Sequence, residues 1–195
     1  MQKSLPRGRI HRFAVTLVAF LVVAGGYLGV QYLAGNVHEV IAGQFYRSGQ
    51  LSGTHLAGVI ERYQIKTVLN LRGASTRPWY VDEVATTQRL GVTHLDFKMS
   101  ALKELSLAET QRLVAVMRDA PKPLLIHCEG GSDRSGLAAV LYLQQIAGVN
   151  EDIAELQLSP FYGHIGLPWL VGAYAMDESW EKFEDANGIE AQGFL

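Results

Sequence analysis

Between Phe13 and Leu33 the chain runs for 21 residues without one charged side chain. A stretch of that composition can leave water only as a helix, whose backbone groups bond one another, and at about 1.5 Å per residue it crosses roughly 30 Å of hydrocarbon. It divides the chain into an N-terminal segment, 1–35, and a body, 36–195. Lys3, Arg7, Arg9 and Arg12 precede the apolar stretch, whereas the other side carries His38 and Glu39 and no Lys or Arg before Arg47. This asymmetry is expected to keep the start cytoplasmic and to anchor the body on the outer face of a membrane, periplasmic in a Gram-negative cell. The alternative is a cleavable signal peptide, with Phe13–Val23 as its apolar core and Ala24-Gly25-Gly26 as the small residues at the cut, which would leave the body secreted.

The chain has 17 Lys and Arg against 19 Asp and Glu, and since four of the cations precede the apolar stretch the body holds 13 against 19. An acidic body of this kind is not expected to bind nucleic acid. Cys128 is the only cysteine, which excludes an intrachain disulfide. Without companion thiols it also argues against a structural zinc site. No pattern points to a metal, nucleotide, flavin or other cofactor.

The body shows no second composition shift and alternates strand-like with helix-like pieces, which predicts one α/β domain. Short apolar runs at Val37–Ile41, Lys66–Leu71, Val92–Phe97 and Leu124–His127 read as strands. Helices are expected at Leu56–Tyr63, capped by Ser52 or Thr54, at Tyr80–Leu90 after Pro78, and from the capping box Ser106-Leu107-Ala108-Glu109 to Asp119. Three more are expected at Gly136–Ala147, at Glu151–Leu158 behind Asn150, and at Tyr174–Asp185.

After the Leu124–His127 strand the chain reads His127-Cys128-Glu129-Gly130-Gly131-Ser132-Asp133-Arg134-Ser135 and then turns apolar with helical spacing. A strand, a tight loop and a helix meeting there aim successive N–H groups and the positive end of a helix dipole into one concavity, which suits a phosphate dianion. Glu129, Gly130, Gly131, Ser132, Asp133, Arg134 and Ser135 are the candidate phosphate-binding residues. The same field favours the thiolate of Cys128, the nucleophilic form. Arg134 offers a planar fork for two phosphoryl oxygens. Ser135 is placed to hydrogen-bond the sulfur, and His127 to orient the loop from the strand end.

This stretch resembles the signature His-Cys-x-x-Gly-x-x-Arg-Ser/Thr of the cysteine-dependent tyrosine and dual-specificity phosphatases, matched at His127, Cys128, Gly131, Arg134 and Ser135. Phe45–Leu51 and Lys66–Arg72 are similar to the opening elements of the dual-specificity-like branch. The resemblance implies a central, mostly parallel sheet flanked by helices. It also implies hydrolysis of phosphate monoesters through a phosphocysteine without a metal. Rhodanese-like sulfurtransferases also carry a cysteine loop between strand and helix, but usually with four residues between cysteine and arginine, where this chain has five. A catalytically weak phosphoprotein-binding module is the third reading, opposed by the intact Cys128 and Arg134.

The chain departs from the better-known branches at the general acid. Their aspartate on the loop after the preceding strand would fall near Ala101, so Asp133, Glu104 and Asp96 are the candidates, in that order; myotubularin-like phosphatases use an aspartate at the position of Asp133. Carboxylates at Glu129 and Asp133 disfavour polyanions, leaving a phosphorylated protein or another aryl monoester as the expected substrate and a lipid or small-molecule phosphate as the alternative. Arg47 and Arg72 read as solvated or ion-paired residues at strand ends, His164 as part of a packing loop rather than a ligand, and Trp169 and Trp180 as core.

Overall fold

The structure, a computed structural model, describes residues 7–168 and 171–189. The chain divides into two compact units, 1–34 and 35–195. In the first, α1 (Arg7–Leu33) is one continuous helix. Its segment His11–Leu33 has a mean hydropathy of 2.2 and is long and apolar enough to cross a membrane.

The second unit carries a five-stranded sheet in the order β1-β2-β5-β3-β4. Its strands are β1 (His38–Ile41), β2 (Phe45–Ser48), β3 (Thr67–Asn70), β4 (Thr93–Asp96) and β5 (Leu124–His127). β5 runs parallel to β2 and β3, β3 parallel to β4, and only β1 is antiparallel to its neighbour. The helices are α2 (Gly53–Tyr63), α3 (Pro78–Arg89), α4 (Leu107–Asp119), α5 (Asp133–Gln145), α6 (Glu151–Glu155) and α7 (Ala175–Asn187). This is the α/β architecture that the strand and helix spacing predicts, with the parallel sheet that the resemblance implies.

Side-chain alternation sorts the strand residues between the two faces. Phe45, Leu69, Leu124 and Ile126 enter a large core with Leu113 and Met117 of α4, Leu137 and Leu141 of α5, and Trp180 and Phe183 of α7. Tyr46, Val68 and Leu125 face the other way, onto Leu56, Val59 and Ile60 of α2. All four residues of β5 are buried. The catalytic candidates therefore leave the sheet from its central strand, at the carboxyl end, where open parallel sheets place their ligands.

The local signals act as expected at two helix starts. Ser52 Oγ accepts the His55 N–H at the head of α2. Ser106 and Glu109 close a reciprocal capping box on α4. Three elements differ from expectation. β2 is a further strand, fully buried, beyond the four that the apolar runs predict. α5 begins at Asp133 rather than Gly136, because the loop winds directly into helical backbone. α6 ends at Glu155 rather than Leu158, and the chain beyond it turns the carbonyl and side chain of Gln157 toward Arg47. Trp180 is core, 1 % exposed; Trp169 lies outside the described residues.

Leu113 is fully buried in the larger core. Leu113→Ala is expected to destabilise the protein by about 2–5 kcal/mol, since it removes apolar contact and leaves a cavity that the helices close only in part. Denaturant unfolding of the full chain in detergent micelles checks this: the midpoint falls while the slope stays as in the wild type.

Candidate active site

The loop that follows β5 is shaped by what holds its carbonyls. Glu129 O accepts the Gln50 N–H at 3.0 Å. Gly130 O accepts Asn36 Nδ2 at 3.0 Å. Gly131 O and Ser132 O both accept Arg47 NH2, at 2.8 and 2.9 Å. In a planar trans peptide the N–H of the next residue points opposite to the carbonyl. Holding four successive carbonyls on one side thus turns the N–H groups of Gly130, Gly131, Ser132 and Asp133 to the other, a nest for an anion at the head of α5. The Gly131 N–H donates to Cys128 Sγ at 3.3 Å, which places the sulfur on the N–H side of the loop.

Gly131 has φ +76°, and a Cβ there would lie 2.5 Å from Gly49 N and 2.7 Å from Ser48 C. Backbone conformation and backbone crowding both require glycine. Arg134 returns beside the loop, with NH1 3.5 Å from Met99 O. Its Nε is buried and meets no acceptor among the described residues, leaving a donor for a phosphoryl oxygen. The Ser135 hydroxyl donates to Ser48 O at 3.4 Å, tying the first turn of α5 to β2 where a bond to the sulfur was expected.

Arg47 overturns its expected role. It is wholly buried, not solvated. Besides the two loop carbonyls it donates through NH1 to Gln157 O at 2.8 Å and Gln157 Oε1 at 3.0 Å, and its guanidinium lies 4.3 Å from the centre of the Tyr162 ring. Burial lowers its pKa to about 10, against the opposing charges of Cys128, Tyr162 and Asp133, so it remains a cation at neutral pH.

A second network supports the strand end. Glu83 of α3, 2 % exposed, accepts His127 Nε2 at 3.1 Å and His94 Nε2 at 2.8 Å on Oε1, and Gln50 Nε2 at 2.6 Å on Oε2. Burial pushes its pKa up, but these donors outweigh it and hold the group at about 2. Gln50 Oε1 in turn accepts Arg72 NH1 at 3.1 Å. Arg72 stacks 3.9 Å over the Trp79 ring and lies 3.6 Å from the exposed Glu129 carboxylate. Asn36 and Glu83 carry no motif, and Gln50 enters the sequence reading only as part of the Phe45–Leu51 stretch, with no role of its own. The available signal was indirect: His94 and His127 inside apolar strands need a buried acceptor.

The three acid candidates sit in different surroundings. Asp96 accepts Asn70 Nδ2 at 2.8 Å and the Tyr80 hydroxyl at 2.6 Å, a tie between the ends of β3 and β4 and the start of α3. Glu104 pairs with Lys182 of α7 at the surface. Asp133 accepts His164 Nδ1 at 2.8 Å, and the opposite nitrogen of the same ring lies 2.9 Å from Asp177 Oδ2 of α7. His164 is only 1 % exposed. Burial alone would lower its pKa, but the bonds and charges of Asp133 and Asp177 raise it to about 9.

A raised histidine pKa contributes stability that is complete below the unfolded value near 6.5 and is lost as pH rises through about 9. The melting temperature of the full chain is therefore expected to fall between these pH values. His164→Gln should be less stable at pH 6 and show a flatter decline. An equal decline in both proteins would exclude His164 as its source.

Comparison with known proteins agrees with this geometry. The model of the tyrosine phosphatase family matches residues 25–155. No curated protein matches. Among solved structures, TpbA of P. aeruginosa in complex with pTyr is 20 % identical, with 78 % of this chain and 92 % of that chain covered and a TM-score of 0.55. Tk-PTP is 21 % identical over 77 % of this chain and 97 % of that one, at a TM-score of 0.58. The catalytic core of the PP-IP phosphatase Siw14 of S. cerevisiae is 17 % identical over 78 % and 93 %, at 0.57. These structures share the fold, and the family match decides against a sulfurtransferase. With its signature loop between β5 and α5 and a family match over most of its length, the chain belongs to the tyrosine phosphatase family and is a cysteine-dependent phosphatase.

Proposed function

We propose that Cys128 is the nucleophile, that the preferred substrate is phosphotyrosine or another aryl phosphate, and that α1 anchors the enzyme with its catalytic domain outside the cytoplasm. The observation that carries the chemistry is the loop itself, with four carbonyls held away and the Gly131 N–H on the sulfur. The thiolate attacks phosphorus as the ester P–O bond breaks. The loop N–H groups and the Arg134 fork follow the equatorial oxygens as charge spreads over them. Water then attacks the phosphocysteine, the S–P bond breaks, and inorganic phosphate leaves.

Asp133 is the proposed acid for the leaving oxygen. Of the three candidates it alone belongs to the loop, and among the described residues only its Oδ1 is engaged, by His164. The rim carboxylate of Glu129, 72 % exposed and only loosely paired with Arg72, supports a monoester over a polyanion. TpbA supports the aryl group, as a protein of this fold with pTyr bound. The anchor reading rests on the apolar stretch Phe13–Leu33 of α1 and on the cations that precede that stretch.

Cys128→Ser is expected to lower turnover of p-nitrophenyl phosphate on the order of 10³-fold or more, because the residual binding site lacks its nucleophile. Wild-type turnover should persist in EDTA and be blocked by vanadate; undiminished activity of the serine variant overturns the mechanism. Asp133→Asn keeps the side chain's size and removes the transferable proton. Its loss should grow toward roughly 10²–10⁴ as the leaving group becomes a poorer one. A loss that is even across aryl and alkyl phosphates assigns Asp133 to loop shape alone. A reporter that fluoresces only in the cytosol, fused after Leu195, is expected to stay dark, and bright cells would reverse the topology.

A further inference from the structure

Asn36 is three residues beyond the end of α1 and yet is 4 % exposed. Its backbone is left-handed, φ +48°, a conformation that asparagine tolerates better than most residues. Every polar atom of its carboxamide is engaged. Nδ2 donates to Gly130 O and to Tyr162 O, each at 3.0 Å, and Oδ1 accepts from His38 Nε2 at 2.7 Å. Beside it, Gly35 O accepts the Gly49 N–H at 2.8 Å, and Gly49 packs against Gly131. The residues just after the apolar helix therefore touch the catalytic loop on the side away from the sulfur.

The bond to Gly130 O has a chemical consequence. The peptide that carries this carbonyl also carries the Gly131 N–H, and the two point in opposite directions. Released from Asn36, the Gly130–Gly131 peptide is free to rotate, and the N–H that now donates to Cys128 Sγ at 3.3 Å leaves the sulfur. Flanking glycines offer little resistance to such a flip. A fixed N–H costs no reorganisation when charge builds on the transferring phosphoryl group, whereas a mobile one does.

We propose that Asn36 is a positioning residue for phosphoryl transfer: through Gly130 O it holds the Gly131 N–H on the nucleophile, and it binds the segment leaving the apolar helix into the catalytic machinery. The inference rests on the assignment of Cys128 as nucleophile. It reaches a residue outside the signature and 92 positions before the cysteine. Tyr162, whose carbonyl shares the same amide, also faces Arg47, so the amide links two supports of one loop.

The test uses the full chain in detergent micelles with p-nitrophenyl phosphate. Asn36→Asp keeps shape and the acceptor toward His38, but sets an oxygen where Nδ2 donates to Gly130 O. Asn36→Gly removes the carboxamide and accepts the left-handed backbone without strain, so it supplies the answer where the Asp variant fails to fold. Both are expected to lose about 10-fold or more in kcat, with KM changed by less than about 3-fold, since a displaced N–H weakens the transition state more than the ground state. Vanadate inhibition should weaken in the same proportion as kcat/KM. Wild-type kcat and vanadate sensitivity in variants whose melting temperature has dropped would overturn the proposal and leave Asn36 a folding residue. An inactive wild type, or an active Cys128→Ser, would instead break the nucleophile assignment on which it stands.

Discussion

The Arg47 guanidinium, buried in the middle of the domain, is the constraint around which the other elements settle. A lone cation in an apolar interior is costly, so it must find acceptors. It finds four: Gly131 O, Ser132 O, Gln157 O and Gln157 Oε1. Each answers a question about the fold. β2 can be buried with an arginine in it because both terminal nitrogens find acceptors, while Nε meets none among the described residues. α6 stops at Glu155 because the next residues turn toward the cation. The loop after β5 keeps its carbonyls on one side because two of them are held there. Lysine carries the same charge but no planar fork, and would leave acceptors unmet.

The loop is thus held by groups that never meet the phosphoryl group. Arg47, Asn36 and the Gln50 amide hold carbonyls. Glu83 holds His127 at the strand end and Gln50 beside it, and through Gln50 reaches Arg72. Buried polar networks of this sort specify one arrangement through the members that are satisfied, which here are the two terminal nitrogens of Arg47, the Asn36 amide and the Glu83 carboxylate. A concavity for a dianion requires such rigidity, because N–H groups that had to reorient during the reaction would lose most of their advantage.

Much of this was legible in the sequence, and the reasons are local. The strand–loop–helix junction announced itself through a run of apolar residues, five small or polar loop residues after Cys128 and an apolar helix. The capping box at Ser106 and the cap at Ser52 are one-turn patterns, and both act as written. Phe13–Leu33 could be nothing but a helix. What escaped is non-local. The fate of Arg47 depends on Gln157, 110 residues away, and that of Asn36 on Gly130, 94 residues away. No period or spacing encodes such pairs. Arg47 therefore reads as solvated or ion-paired, when its burial depends on partners that only the closed fold supplies.

The supports of the loop come from nearly the whole described body, from Asn36 just after α1 to Asp177 in α7, which grips His164 and through it Asp133. During synthesis the cysteine and arginine emerge well before that last helix. The loop then still lacks the segment that carries Gln157, Tyr162 and His164, and with it the groups that hold Arg47, Asn36 and Asp133 in place. A nascent chain at that stage already has the donors that hold the loop carbonyls, but two of those donors, Arg47 and Asn36, and the loop's own Asp133 are secured only when the segment up to α7 has packed.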